Sequence, residues 1–361
     1  MAELKITGVE AKSLKVPLAR AIGSANSTKS ELDYLVVFLH TEDGPTGCGF
    51  VMGLGGETST TLVPYIEKEL APLAVGQDAL APEALWARLW GPNKPRMRGG
   101  LGVQALSAVD TACWDALAKA ADLPLSSILG GFRNTVPVYG SGGWLTFTDA
   151  EMVDECMGFM EKGIGAYKLK LGTERDEERI RTLRDEVGES VVLFADANQK
   201  YNPREALEVA AMLAEYDVRW FEEPVLADSV DDLAEVAERS PVPVAAGENA
   251  YMRWGFREIC ERRAAAFLQP DVGRCGGVTE FRKIAHLAEA YNLSLCAHLL
   301  QEVSLSLLAA TPSGCMVEYV EMLPPETLTR EFAVVSGCME VPDVPGHGVE
   351  FTEEAIRRYG A

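Results

Sequence analysis

The stretch "GAYKLKLG" at residues 165–172 places two lysines, Lys168 and Lys170, one residue apart in an otherwise apolar run. A short apolar run of this kind is typical of a buried strand. Successive side chains on a strand point to opposite faces, so both ammonium groups would share one face. Two like charges on one face of a strand need a physical reason, and the polar residues that end the other apolar runs of the chain supply it.

Similar apolar runs recur from about residue 136 onward, with segments of helical spacing between them. Strands that alternate with helices indicate βαβ units and a parallel sheet, and eight such strands predict a closed α/β barrel. The predicted strands are "VPVYGSG" (136–142), "AYKLKLG" (166–172), "VVLFADAN" (191–198), "VRWFEEP" (218–224), "VPVAAGE" (242–248), "AFLQPD" (266–271), "LSLCAHL" (293–299) and "MVEYVE" (316–321).

The first third of the chain has a different pattern, with strands first and helices after them. Period-two and period-3.6 spacing predict strands at 4–17 and 31–41 and helices at 60–75, 78–90 and 103–124. This is an α+β block. The segment "VPDVPGHGVEF" near the end is predicted to be loop and edge strand, and we expect it to return to the N-terminal block.

Composition excludes several classes of protein. The 361 residues include 33 basic and 54 acidic side chains, and a net charge of −21 argues against nucleic-acid binding. No apolar window approaches the length of a membrane span, and the start lacks a signal-peptide core, so a cytoplasmic location is expected. The eight cysteines form no C-x-x-C pair, which argues against a zinc knuckle or a thioredoxin-like motif.

Three acidic residues follow the middle strands at a regular interval. Asp196, Glu222 and Glu248 are spaced 26 residues apart, one βα unit per step. The carboxyl ends of barrel strands converge on one site, where three ionised carboxylates would repel one another without a cation. Oxygen ligands that leave open positions suit Mg²⁺. The pattern therefore predicts a magnesium site, and three separate surface salt bridges would not explain the spacing.

Acid and base groups surround this predicted metal. A dication and a neighbouring ammonium both disfavour the charged form of a lysine, and a neutral lysine amine is a competent general base. Asp271 and His298 end later strands, where the aspartate can orient the imidazole. This equipment suits removal of a proton α to a carboxylate, with the enediolate stabilised by Mg²⁺.

In this order, the motifs "KLKLG", "DAN", "EEP", "GEN", "QPD", "AHL" and "VEYVE" resemble those of the enolase superfamily, mandelate racemase subgroup. The resemblance covers nearly the whole chain. It implies an α/β fold, a modified (β/α)7β TIM barrel with an N-terminal α+β capping domain. The expected division is a capping domain at 1–125, a catalytic barrel at 126–330 and a C-terminal segment at 331–361 that returns to the cap.

The resemblance also implies a role for each polar strand end. Asp196, Glu222 and Glu248 would bind Mg²⁺. Lys170 would be the base on one face of the substrate's α-carbon, and Lys168 would neutralise the substrate carboxylate and lower the pKa of Lys170.

On the opposite face of the α-carbon, His298 paired with Asp271 would act as the second acid or base. Glu318 would hydrogen-bond the substrate carboxylate as it becomes an enediolate. Asn198 and Ser141 would line the pocket as polar substrate-binding groups.

Substrate preference in the resembling family depends partly on a mobile loop in the cap, here predicted at 17–31. This segment is polar, with Arg20, Asn26, Ser27 and Lys29, which favours a hydroxylated or dicarboxylic sugar acid over an aromatic one. "SGGW" and "DANQKYN" look like the acid-sugar dehydratases of the talarate/galactarate kind. We therefore expect a lyase that dehydrates an aldonate or aldarate to a 2-keto-3-deoxy acid, with His298 expelling the β-hydroxyl.

Other functions remain open at this point. A racemase or epimerase of a 2-hydroxy acid would use the same two bases, whereas cycloisomerases of this kind usually carry a lysine in place of His298. A metal-binding protein without chemistry is opposed by the full set of acid and base residues. The glycine-rich "GCGFVMGLGG" (47–56) does not fit a nucleotide motif. The expected partners are a small-molecule carboxylate and further copies of the chain, since many relatives form homo-oligomers such as octamers.

Overall fold

The N-terminal part of the protein is built on an antiparallel sheet. The structure, a computed structural model, describes residues 3–53 and 56–361. The sheet has the order β1–β2–β3, and residues 54 and 55 of the glycine-rich segment lie outside the described part. Its strands are β1 (Ile6–Gly23), β2 (Thr28–Thr41) and β3 (Gly47–Gly53).

The first two strands are longer than the sequence predicts. Residues 17–31 are not a loop: Ile22 pairs with Lys29 and Gly23 with Thr28, so the segment is the end of a long β-hairpin. The prediction of a loop was wrong because this part of the hairpin extends beyond the sheet's apolar core. Polar side chains are tolerated on both of its faces there, and the period-two signal is lost.

Five helices follow the sheet and complete the capping part. Helix α4 packs on β3 and is buried on most sides, because it also contacts α3 and the barrel. The helices are α1 (Thr58–Tyr65), α2 (Ala71–Ala74), α3 (Pro82–Asn93), α4 (Leu101–Ala120) and α5 (Leu125–Ile128), with a π-helical turn (Ile66–Leu70) between the first two.

Eight parallel strands then form a closed barrel, because the last strand pairs with the first. Each predicted strand is present: β4 (Thr135–Ser141), β5 (Ala166–Lys170), β6 (Val192–Asp196), β7 (Val218–Glu222), β8 (Val244–Ala246), β9 (Phe267–Leu268), β10 (Ser294–Ala297) and β11 (Gly314–Tyr319). Seven helices connect them: α6 (Asp149–Glu161), α7 (Asp176–Val187), α8 (Pro203–Glu215), α9 (Val230–Arg239), α10 (Met252–Glu261), α11 (Gly277–Ala290) and α12 (Gln301–Ala309). The predicted (β/α)7β barrel with an α+β cap is confirmed.

The barrel interior is filled below the site by aromatic rings. Phe194 and Trp220 precede the acidic residues at the ends of β6 and β7 by two positions, so they share the inward face one layer deeper. Their rings stack with centroids 3.7 Å apart, and Tyr139 of β4 packs edge-on against both. This plug leaves the carboxyl ends of the strands as the open side of the barrel.

The C-terminal segment contacts both parts of the protein. β12 (Val334–Val335) and β13 (Cys338–Glu340) form a hairpin that pairs with β4, so this stretch extends the barrel sheet rather than the cap. His347 then reaches the cap, where its Nε2 donates to the carbonyl oxygen of Cys48 at 2.7 Å. A last helix, α13 (Glu353–Tyr359), lies against β1. The domain boundaries at 125 and 330 stay predictions.

The helices are of ordinary globular type. Among the residues that the structure describes, we find no helix whose length and apolarity would suffice to span a membrane.

Candidate active site

Three carboxylates meet at the open end of the barrel. Asp196 and Glu222 are the last residues of β6 and β7, and Glu248 follows β8 by two residues. All three are buried, and one oxygen from each lies within 4.8 Å of the others. The 26-residue spacing thus places three neighbouring strand ends around one point, and their oxygens could hold a hard cation.

The two lysines of β5 point into the same group of charges. Lys168 Nζ lies 2.7 Å from Glu222 Oε1 and 2.8 Å from Glu318 Oε1. Lys170 Nζ donates to Asp196 Oδ2. Each buried ammonium therefore has its own carboxylate partner, which explains how two like charges are accommodated on one face of a strand.

His298 lies directly after β10, and Asp271 holds its ring in place. Its Nδ1 is 2.9 Å from Asp271 Oδ2, and its Nε2 is 3.2 Å from Glu248 Oε2. The first contact is a hydrogen bond that orients the ring, and it leaves Nε2 facing the cavity. Arg274 lies behind both carboxylates, with Nη1 3.7 Å from Glu248 Oε1 and Nε 3.4 Å from Asp271 Oδ2.

The site carries a surplus of negative charge. Five buried carboxylates face two ammonium groups and one guanidinium group, which leaves a formal excess of two negative charges: Asp196, Glu222, Glu248, Asp271 and Glu318 against Lys168, Lys170 and Arg274. Burial and the neighbouring carboxylates outweigh the effect of Lys168 and raise the pKa of Glu222 to about 8. This electrostatic cost would be relieved by a bound dication.

The pKa of Lys170 is not lowered by the protein's own groups, contrary to expectation. Burial lowers the pKa of Lys170 and Lys168 lowers it as well, but the carboxylates of Asp196, Glu248 and Glu222 together outweigh both effects and the pKa is raised overall. The like-charge neighbour could be predicted from the alternation of the strand, but the direct contact of Lys170 with Asp196 could not. For His298, burial lowers the pKa, and Glu248 and Asp271 more than compensate, so that the pKa is raised.

A cavity of about 290 Å³ opens onto this charge cluster. Five predicted site residues line it: Lys170, Asn198, Glu248, His298 and Glu318. Lys168 and Asp271 are buried behind the cavity wall as partners of the lining groups. Ser141 does not line this cavity; it lines a neighbouring one that extends under the hairpin.

Several residues of the site were missed by sequence reasoning. Gln269 Nε2 donates to Glu222 Oε2 at 2.7 Å, and the amide of Asn249 donates to both oxygens of the buried Glu223. The ring of Trp144 lies 5.3 Å from Lys170 Nζ. A signal was present for Gln269, because it stands two residues before Asp271 at a strand end, but a neutral amide gives no charge pattern to detect.

The fold and this arrangement define a class of protein, a capped barrel enzyme whose acid and base groups surround an acidic triad. Residues 4–130 match the mandelate racemase / muconate lactonizing enzyme N-terminal domain, and residues 151–355 match the enolase C-terminal domain-like family. The chain belongs to this family. The prediction of a lyase or isomerase of the enolase superfamily is confirmed.

Named relatives cover most of the chain. A 3,6-anhydro-alpha-L-galactonate cycloisomerase of Streptomyces coelicolor is 32% identical over 95% of this chain and 96% of its own. An L-talarate/galactarate dehydratase of Salmonella typhimurium is 31% identical over 94% of this chain and 85% of its own. The structure of a racemase from Streptomyces coelicolor with bound magnesium superposes with a TM-score of 0.94. Its sequence is 31% identical, and the match covers 99% of this chain and 100% of that chain.

Proposed function

We propose that this enzyme removes the proton α to the carboxylate of an acid sugar and dehydrates it to a 2-keto-3-deoxy acid with the help of Mg²⁺. The observation that carries the proposal is one cavity lined by Lys170, His298 and Glu318 beside the acidic triad. The similarity to a named talarate/galactarate dehydratase supports this substrate class.

The residues present fit a magnesium ion. Within the described part of the chain, Asn198 Oδ1 is buried without a hydrogen bond, and Glu248 Oε2 has only the contact with His298 Nε2, so oxygen lone pairs remain available at the triad. Asp196, Glu222 and Glu248 would hold the ion, which matches the excess of negative charge. Bound there, Mg²⁺ would supply electrostatic stabilisation of the charge that develops on the substrate carboxylate.

The chain's own groups divide the proton transfers. Lys170, in its neutral form, would take the α-proton, and Glu318, held by Lys168, would hydrogen-bond the substrate carboxylate. His298, as imidazolium, would give a proton from Nε2 to the β-hydroxyl, which leaves as water. Asp271 keeps Nε2 aimed at the cavity through the bond to Nδ1. Loss of water yields an enol, which becomes the 2-keto-3-deoxy acid.

Racemisation of a 2-hydroxy acid is the second candidate. Lys170 and His298 come from β5 and β10, three strands apart around the barrel, and both line the cavity. Two bases on different walls suit proton removal and return on opposite faces of one carbon. A named racemase structure is among the similar ones. Cycloisomerisation has a named relative as well. This chain has His298, however, at the position where we expect a cycloisomerase to carry a lysine.

The test is a screen of the purified enzyme with Mg²⁺ against aldonic and aldaric acids, with semicarbazide to detect 2-keto acids. We expect one acid to react, and Lys170→Ala and His298→Asn each to abolish dehydration, since general acid–base groups contribute about 10²–10⁴-fold. Lys12→Ala, on the surface of β1, is the control.

A screen without 2-keto product but with change of optical rotation for a 2-hydroxy acid would favour the racemase. If no acid exchanges its α-proton with solvent deuterium, both candidate functions are contradicted. A homo-oligomeric state and a cytoplasmic location stay predictions.

A further inference from the structure

The hairpin of β1 and β2 closes the cavity on the side away from the barrel. Its residues Ile22, Ser24, Asn26, Ser27 and Lys29 line the same space as the catalytic groups. Asn26 Nδ2 donates to the carbonyl oxygen of Asn198 at 2.7 Å, which ties the turn to the loop after β6. Arg20 was expected to line this cavity together with Asn26, Ser27 and Lys29. It does not line the cavity, and its Nη2 pairs with Glu151 Oε2 at 2.6 Å instead.

Lys29 is the cation that this hairpin presents to the cavity. Its side chain is half-buried, and within residues 3–53 and 56–361 no hydrogen bond or ion pair holds its ammonium group. Burial and the positive charges of Arg274 and Lys170 outweigh the effect of Glu248 and lower the pKa of Lys29 to about 8. A half-buried ammonium without an anionic partner is an electrostatic cost that a bound anion would remove.

We infer that Lys29 binds a second carboxylate of the substrate, so that the enzyme takes a polyhydroxylated dicarboxylic acid rather than a monocarboxylic one. The inference rests on the proposed function, which places the reacting carboxylate at Lys170, His298 and the triad. Lys29 lines the same cavity from β2 of the hairpin, an element that carries none of the catalytic groups.

The other polar groups of the cavity suit the hydroxyls of such a diacid. Ser24, Asn26 and Ser27 come from the hairpin turn, and Asn198 and Gln199 come from the loop after β6. These hydroxyl and amide groups can donate and accept, which matches a chain of alcohols. A cation in the same lining matches a terminal carboxylate better than a terminal alcohol, because hydrogen bonds between ions are about twice as strong as neutral ones.

The experiment compares two acids that differ only at one end, galactarate and galactonate, with the wild-type enzyme and with Lys29→Met, in the presence of Mg²⁺. Binding is measured by calorimetry and turnover by the semicarbazide reaction. We expect the wild type to prefer galactarate. We expect Lys29→Met to weaken galactarate binding about 10- to 100-fold, the usual effect of a lost hydrogen bond to a charged group, through KM more than kcat. Galactonate should be little affected.

Two further variants make the result specific. Lys29→Arg should recover most of the galactarate affinity, because it keeps the cation. Lys12→Met, on an exposed part of β1, should change the affinity for neither acid. Equal losses for the diacid and the monoacid in Lys29→Met, or a wild type that shows no preference for the diacid in binding, would overturn the inference. Diacid binding that depends on Lys29 without any turnover would instead uphold it and contradict the proposed dehydration.

Discussion

Lys168 and Lys170 are buried together because each meets a carboxylate on a different strand. Lys168 bridges Glu222 and Glu318 across the barrel, whereas Lys170 contacts Asp196 on the adjacent strand. The alternation of a strand predicts that the two lysines share a face. It does not predict which acid each one meets, since that depends on how far neighbouring strands are displaced along one another.

At the same scale, the acidic triad could be predicted and its supporting groups could not. A regular spacing reveals ionisable residues at strand ends, but Gln269 and Arg274 carry no such periodicity. Their importance follows from contacts: the amide of Gln269 bonds Glu222, and Arg274 bonds the carbonyl oxygen of Glu248 at 3.0 Å. Such residues orient the ligands of a metal and help to set its affinity.

Gln269 therefore gives a test of the metal site that does not need the substrate. Gln269→Leu removes the donor to Glu222 Oε2 and leaves that buried carboxylate with Lys168 alone. We expect magnesium affinity to fall about 10-fold or more, as for other groups that support metal ligands. Calorimetric titration with MgCl₂ would measure it. Gln104→Leu, in α4, is the control because its Oε1 has no partner in the structure; equal affinities in both variants would rule out this role for Gln269.

At the scale of elements, the hairpin and β3 show where sequence patterns are least informative. The hairpin end has no apolar face, so it resembles a loop. β3 has the composition of a glycine-rich loop, yet all seven of its residues are buried. Gly47 and Gly49 lie on the side of β3 that meets α4, and the absence of a side chain there allows the helix backbone to approach the strand.

This close approach predicts a large effect for a single methyl group. A Cβ on Gly49 would collide with the carbonyl oxygen of Ala108 and lie 2.7 Å from the nitrogen of Ala112. Because both are backbone atoms of a helix, α4 would have to move. We expect Gly49→Ala to lower the free energy of unfolding by at least about 1–3 kcal/mol, measured by urea denaturation.

Gly158→Ala is the matched control for this substitution. Gly158 lies in α6, and a Cβ there would meet no atom within 4 Å. We expect this variant to be stabilised by about 0.5–1 kcal/mol, as for alanine in place of glycine inside a helix. Similar losses in both variants would mean that the packing of β3 on α4 is looser than the structure indicates.

The whole molecule depends on the junction between α4 and the turn that starts α11. Ser107 and Asp110 of α4 accept hydrogen bonds from the backbone of Gly276 and Thr279, at 3.1 and 2.8 Å. Trp114 donates from Nε1 to the hydroxyl of Thr279 at 2.8 Å. These buried contacts join the capping part to the barrel, and the turn also carries Arg274 of the site. This junction therefore helps to hold the capping part over the open end of the barrel.

Asp110 makes the junction sensitive to pH. Burial raises its pKa to about 8, although both hydrogen bonds from Thr279 lower it. The Thr279 hydroxyl has two lone pairs, so it can accept a bond from the protonated acid as well as from Trp114. Between about pH 4 and about pH 8 the folded protein holds a proton on Asp110 that the unfolded chain has released. This group's contribution to stability is thus fully present below about pH 4 and falls as the pH rises towards 8.

Asp110→Asn should remove that dependence, since an amide does not titrate and its oxygen can still accept the bond from the Thr279 backbone. Urea denaturation at several pH values between about 5 and 8 is the measurement. We expect the variant to gain stability relative to the wild type as the pH rises. Asp122→Asn, exposed just after the same helix, should follow the wild-type profile. Parallel profiles for Asp110→Asn and the wild type would mean that Asp110 is ionised in the folded protein, held by Thr279 alone.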